Sequence, residues 1–334
     1  MTYTVGGLIQ ATDYNGFVST GANNINAVWS AGTGDSGWGQ TAISNVSAGG
    51  TVTATQWATL VANLATAGQQ TSSTLTSRTQ PVAGNVIAIL ANVATDINTI
   101  TNNRGNAAAS GTTIGTFSGT TSKTTDTGSG NAAWTITFTS TITFPSADQA
   151  RYFFNAGGLV KIMFGKSSTG TDHDPDWNTF AGECGNIFLS GHVRNAAQTI
   201  AGQSYDGVTR LGGTGGTQTT LATNTGFYDL TTTAVTLFQL NNITAPYEPE
   251  FIRVQASVNS NTTPTVLTLT TVWSDDGTGV AGATSNITGG TAVSSPATAI
   301  GAATAPTTLV NLIPPSTTYL TNSWGTPTIA ASVS

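Results

Sequence analysis

At 334 residues the chain is long enough to bury a substantial core and to form two or three compact units without disulfides, which its single cysteine, Cys184, does not allow within the chain. Nine Lys and Arg against fifteen Asp and Glu give a net charge of −6, so no basic surface is expected to neutralise phosphates and nucleic acid is not an expected partner. One cysteine also excludes a CxxC redox pair and a thiolate zinc cluster, and no apolar run approaches the roughly eighteen residues of a membrane-spanning helix, so membrane insertion is not expected either.

Thr supplies about a fifth of the residues while charged side chains supply 7%, so uncharged hydroxyls must hydrate the surface. β-branched Thr suits a pleated sheet and Gly suits its turns. The 12 Phe, 7 Trp and 7 Tyr, spread over the length, set the composition apart from a disordered chain. The N-terminus, MTYTVGGLIQ, lacks a basic region followed by an apolar run, so the chain reads as made in a cytosol.

Residues 1–50 mix short apolar runs with Gly, Asn and Ser and carry only Asp13 and Asp35 as charges, which reads as a docking segment. Within it, WSAGTGDSGWGQT contains Gly32-x-Gly34-x-x-Gly37, the spacing of a dinucleotide fingerprint. That motif needs a helix opening at its third Gly and an acidic residue about twenty positions later. Here a strand-like run follows and no Asp or Glu occurs between Asp35 and Asp96, so no cofactor is expected. Trp29, Trp38 and Trp57 are large anchors in a region too short for a core of its own, and are expected to fill pockets on an adjacent chain.

Thr53 and Gln56 have capping-box spacing, and Trp57, Leu60, Val61 and Leu64 share a helical face, which predicts a helix over 54–67 ended by Gly68. A second helical pattern follows Pro81. Its apolar stripe, Val82, Val86, Ile89, Val93, Ile97 and Ile100, steps by 4, 3, 4, 4 and 3 residues. Such a narrow seam suits a short coiled coil, making 51–105 an oligomerisation region, although one amphipathic helix packing on its own chain has the same pattern.

Beyond Arg104 the pattern turns to β. AWTITFTSTITF alternates Trp134, Ile136 and Phe138 with Thr and resumes at Ile142 and Phe144, with a turn or bulge expected near Ser140. SADQARYFFNAGG predicts a short capped helix ending at Gly157, and LVKIMFG a strand. Further alternating runs lie at 234–240, 251–258 and 265–273, and the last sixty or so residues, low in charge, suggest extended structure on a neighbouring surface. The expected fold is mainly β, with a short N-terminal helical region and antiparallel sandwich-like domains at 106–225 and 226–334.

Candidate chemistry is sparse. FGKSSTG at 164–170 lacks the first Gly of a phosphate loop, so Lys166 reads as a solvated strand-end residue. Only His173 and His192 are available for a hydrolytic triad, and there is no nucleophile elbow. TDHDPDWNTFAGEC gathers Asp172, His173, Asp174, Asp176, Glu183 and Cys184; Asp172, Asp174 and Asp176 are weak candidates for a cation, because the Gly and terminal Glu of a calcium loop are missing from their offsets. The segment reads instead as a polar turn before a buried Trp177. Glu248 with Glu250, or Asp275 with Asp276, are the carboxylate pairs available for glycan hydrolysis, but they read as a strand start and a turn. No catalytic residue is expected.

The order of segments carries a resemblance. DYNGFVSTGANNINAVWSAGTGDSGWGQT followed by VTATQWATLVANL resembles the N-terminal region of virion structural proteins of tailed bacteriophages, especially the fibre-like proteins of marine and cyanobacterial phages. FPSADQARYFFNAGGLVKI and the C-terminal YLTNSWGTPT resemble segments of the same proteins, and together these pieces make up about a fifth of the chain. The resemblance implies a non-enzymatic virion protein of a tail, neck/collar or baseplate fibre, assembling as a homotrimer with other virion proteins. It transfers no catalytic residue. The chain is short for a distal fibre and has no repetitive shaft or His-rich tip, which leaves head decoration, or a glycan-binding or glycan-cleaving receptor module using exposed aromatics such as Tyr228 or Trp273, as alternatives.

Overall fold

A computed structural model of the chain describes residues 10–82, 92–108, 117–122, 125–126, 133–166, 173–191, 198–245, 247–248, 250–275, 287–288 and 306–334. Helix α1 (Ala11–Asn15) runs into a π-helical turn over Gly16–Thr20 that buries Phe17 and Val18, and α2 (Asn26–Trp29) follows. Helix α3 (Ala54–Gln70) opens on the capping box its sequence predicts: the Thr53 hydroxyl accepts from the Gln56 N–H, and the Gln56 carboxamide oxygen accepts from the Thr53 N–H at 2.8 Å. The helix continues through Gly68 because Leu75 lies against that position, where a Cβ would fall 2.6 Å from Leu75 Cδ1. Gly68 is there for close approach rather than for termination.

Helix α4 (Val93–Asn102) is preceded by Asn92 at φ +65°, a left-handed conformation that interrupts α-helical continuity. The stripe from Val82 to Ile100 is therefore not one unbroken helix. Val86 and Ile89 lie outside the described residues, while Val93, Ile97 and Ile100 are at most 1% exposed and belong to the chain's own core.

Strands β1 (Phe117–Ser122), β4 (Leu159–Gly165), β5 (Asn186–Leu189), β8 (Val208–Leu211) and β14 (Thr307–Ile313) form one sheet in the order β1-β14-β4-β5-β8. Strands β3 (Trp134–Thr143), β9 (Thr217–Leu221), β10 (Val235–Asn241), β11 (Phe251–Val258), β12 (Val266–Asp275) and β15 (Thr328–Val333) form another, in the order β15-β3-β12-β11-β10-β9. Pairing within both sheets is antiparallel. Two small ribbons pair β2 (Thr125–Asp126) with β13 (Ile287–Thr288), and β6 (Gln198–Ile200) with β7 (Gln203–Tyr205). The main sheets face each other: Phe164 on β4 packs on Phe238 of β10 and Trp273 of β12, with ring centroids 6.1 and 6.4 Å apart, and the Trp273 indole N–H donates to Thr308 Oγ1 on β14 at 3.0 Å. Strand β3 runs without a slip, since Ser140 is 4% exposed and keeps the inward alternation; the bulge lies in β10, between Thr236 and Phe238. Both sheets draw strands from either side of residue 225.

The mainly β expectation is corrected by the helices. Helix α5 (Ala147–Asn155) and α6 (His173–Glu183) fall inside the strand-rich part of the chain, so α3, α4, α5 and α6 are distributed along it and the fold is mixed α/β. α5 was legible from its Ser146 cap, which accepts from the Gln149 N–H at 3.1 Å. α6 was not, because Asp-His-Asp-Pro reads as a turn. Its burial rests on Trp177, Phe180 and Ala181, with Trp177 packed on Trp134 and Trp273 at 4.9 and 5.7 Å. One apolar cluster extends from Ala11 through both sheets to Trp324.

Candidate assembly junction and groove

The Gly-rich stretch folds back on itself. Backbone N–H groups of Trp38, Gly39 and Gln40 donate to the carbonyls of Val28, Ser30 and Trp29, and Gly32, Gly34, Gly37 and Gly39 all take positive φ. This turn aims carbonyls inward. The Arg151 guanidinium on α5 donates to the carbonyl oxygens of Ala31, Gly34 and Ser36 at 2.9, 3.1 and 3.1 Å, and Asn155 Nδ2 donates to those of Gly37 and Gly34 at 3.0 and 3.3 Å. A phosphate cradle presents N–H groups. A loop presenting carbonyls to a guanidinium is its electrostatic inverse, and Arg104 adds an ion pair to Asp35 on the same loop at 3.1 Å.

The tryptophan anchors find their pockets within their own chain, which corrects the expectation that a neighbour supplies them. Trp29, Trp38 and Trp57 are 8%, 1% and 0% exposed. Trp38 donates its indole N–H to the Asn155 carbonyl at 3.1 Å, Trp29 donates to the Thr41 carbonyl at 3.0 Å, and the two rings meet edge-on. Trp57 sits edge-on to Tyr14, with centroids 5.2 Å apart. The region lacks a core of its own because it shares that of the sheets.

The C-terminal segment closes the junction. Gln40 is 7% exposed; its Nε2 donates to the carbonyls of Trp38 and Thr321, and its Oε1 accepts from the Thr321 N–H and hydroxyl at 2.9 and 2.7 Å. Gly39 lies against the Tyr152 ring and Gly325 against Gln149. Asn155, 3% exposed, also accepts from the Tyr228 hydroxyl at 2.6 Å, so both ends of its carboxamide are used.

From Gln40 the chain runs extended with a three-residue rhythm. Gln40, Ile43 and Val46 are buried, and the pairs between them are exposed. Two asparagines act as substitute strands: Asn26 pairs with both the N–H and C=O of Ile43, and Asn15 does the same at Val46, with distances of 2.8–3.0 Å. A period of three belongs to polyproline-like extended chain rather than to a pleated strand. Nothing in the composition announces this, although the spacing of Ile43 and Val46 carries the signal.

Between that segment and α3 lies an open groove of about 390 Å³. Residues 40–44 line it from the extended segment and Gln56, Thr59 and Asn63 from α3, with Tyr14, Trp29 and Thr321 completing the lining. Burial raises the Tyr14 phenol above its ordinary pKa, so it stays neutral. The lining has hydroxyls, amides and backbone groups but no charge.

The remaining chemistry-bearing residues are dispersed. Asp172 and His192 lie outside the described residues, Asp174 is in the first turn of α6, and Asp176 accepts from Asn242 Nδ2, which also donates to Glu250 at 3.1 Å. Among the described residues no three His, Cys, Asp or Glu side chains gather as a metal site. Burial, then the neighbouring Asp176 charge, raises the pKa of Glu183. Burial pushes the Cys184 thiol up, which makes it a poor nucleophile. Lys166, expected in solvent, is 4% exposed, and burial lowers its pKa to about 8. Glu250 is fully buried, Asp275 ends β12, and Asp276 is outside the described residues. Trp273 is fully buried in the sheet interface, and the Tyr228 hydroxyl is committed to Asn155. Among the described residues no helix is long and apolar enough to cross a membrane. No family model, curated protein or solved structure matches the chain.

Proposed function

We propose that the chain is a non-enzymatic structural protein of a tailed-bacteriophage virion, a subunit of a tail, neck/collar or baseplate fibre. The observation that carries the reading is spatial. The segments behind the resemblance, 13–41, 52–64, 144–162 and 319–328, are scattered in sequence yet touch one another. Trp38 bonds Asn155, Gln40 bonds Thr321, the Tyr14 hydroxyl reaches the Gln56 carbonyl at 3.4 Å, and Gly325 lies against Gln149. Motifs that meet in one junction describe one building unit, and that supports reading them together. The sparse charge agrees with a subunit whose surface is covered by neighbours.

In this reading the partners are further copies of the chain, as a homotrimer, and other proteins of the tail, neck or baseplate. Their contacts lie elsewhere than Val93, Ile97 and Ile100, which the chain's own core occupies. A receptor-contacting role would not pass through Trp273 or the bonded Tyr228 hydroxyl.

Particles of the virus encoding the gene, purified by density gradient and probed with an antibody raised against the chain, test the reading. Gold label at the tail, neck or baseplate is the expected result. Recovery of the chain only in the soluble lysate, with unlabelled particles, overturns it.

A further inference from the structure

We infer that the groove between residues 41–44 and α3 binds a neutral saccharide. The inference stands apart from the virion reading, since it rests on the groove's lining alone. At about 390 Å³ the groove falls within the roughly 300–1,000 Å³ range of small-ligand sites. Its walls carry no Lys, Arg, Asp or Glu, so nothing there neutralises a phosphate, a carboxylate or an ammonium group. Tyr14, Trp29, Ala42 and Ile43 add apolar surface, but a lipid tail would strip the hydroxyls and amides beside them of water without replacing their hydrogen bonds.

What remains is a neutral ligand rich in hydrogen-bonding groups. Gln56, Thr59 and Asn63 lie at positions i, i+3 and i+7 on one face of α3, and the capping box holds Gln56 by its Oε1, leaving its Nε2 hydrogens to donate. Thr59 directs its hydroxyl hydrogen to the Thr55 carbonyl, which leaves its oxygen as an acceptor. Opposite them stand the Thr41 and Ser44 hydroxyls. Alternating donors and acceptors on fixed elements match vicinal hydroxyls, each of which both donates and accepts.

A peptide is the other neutral candidate, and the geometry disfavours it. Strand addition needs alternate backbone groups free along one edge. Here the Ile43 and Val46 backbone groups go to Asn26 and Asn15, and the Thr41 carbonyl to Trp29, which leaves only Ala42 and Ser44 as an alternating pair, too short an edge for strand addition.

Saturation-transfer NMR on the full chain with neutral gluco-, manno- and galacto-tetraoses tests the site. Transfer to at least one of them is expected, with affinity falling at least tenfold in Asn63→Ala and in Thr59→Val. Both positions are on the solvent side of α3, and an unreactive Cys184 thiol verifies that each variant is folded. No transfer to any of the three sugars, binding unchanged in both variants, or binding of a neutral Ser/Asn octapeptide in place of the sugars would each overturn the inference.

Discussion

The indole N–H of Trp38 donates to the main-chain carbonyl of Asn155, 117 residues away, at 3.1 Å. Trp57 is as deeply buried, but among the described residues its indole N–H has no acceptor. Replacing either ring by Phe removes similar volume, yet only Trp38→Phe strips a buried carbonyl of its partner. Trp38→Phe should therefore cost more than Trp57→Phe by about 1–3 kcal/mol. Urea denaturation of the two variants side by side checks this, and equal midpoints would refute the role given to the Trp38 bond.

Gly39 and Gly49 both take left-handed backbone, at φ +68° and +75°. A Cβ on Gly49 meets nothing within 4 Å, whereas one on Gly39 would fall 2.4 Å from Tyr152 Cδ2. Gly49→Ala should cost only the conformational strain, roughly 1–2 kcal/mol. Gly39→Ala should lose a further 1–3 kcal/mol or so through overpacking. Thermal melts of the two variants, compared at one pH, separate strain from contact.

How much of this was readable beforehand follows a physical division. Local signals held: the Thr53/Gln56 box, the Ser146 cap, and the alternation that places β3, β4, β10, β11 and β12 are decided within a few residues. Whatever depended on a distant partner was lost. The glycines of 32–39 permit a tight turn, but nothing local says that its carbonyls wait for Arg151. The Trp side chains were legible as anchors while the pocket they fill was not, because it comes from α5 and the sheets. The seam through Val93 and Ile97 has the same period whether it faces a partner or its own core. Asn92 in left-handed conformation, which breaks it, leaves no mark on an apolar count. The groove was invisible for the same reason, since one wall is held by Asn26 and Asn15, distant in sequence, and α3 is reached by the Tyr14 hydroxyl at the Gln56 carbonyl.

Gln40 joins the N-terminal segment to residue 321, and its replacement by Ala leaves the N–H and the carbonyl of Thr321 short of partners, while the Trp38 carbonyl keeps the Ser323 hydroxyl. Each such loss costs about 1–3 kcal/mol if water cannot enter. Because the tail beyond β14 is tied down through this contact, Gln40→Ala should expose it before the sheets unfold. Limited proteolysis followed by mass spectrometry should find cleavage between residues 314 and 327 in the variant under conditions that leave the parent chain intact. Unchanged fragments would show that Leu320, Trp324 and the Ser323 bond to the Trp38 carbonyl hold the tail without Gln40.

Lys166 gives the molecule a pH signature. Burial lowers its pKa from 10.5 to about 8 in the folded chain. Between those values the unfolded chain binds the proton and the folded chain does not, so stability rises with pH across the interval. Below about pH 8 both states are protonated and the folded chain carries the full cost of a buried ammonium. The tyrosines oppose this at the upper end: burial raises the phenols of Tyr14, Tyr152 and Tyr205, so above their ordinary pKa of 10.0 the unfolded chain loses protons first and stability falls. Burial also raises the Cys184 thiol above its ordinary 9.0, which opposes the rise in the same way, so the parent chain should gain stability from pH 8 to about 9 and lose it beyond 10. Burial lowers the Lys161 pKa as well, so Lys166→Met should leave at most the share of the rise that Lys161 contributes and keep the fall, and urea midpoints at pH 7.5, 9 and 10.5 distinguish the two curves. A rise undiminished in Lys166→Met would assign it to another group.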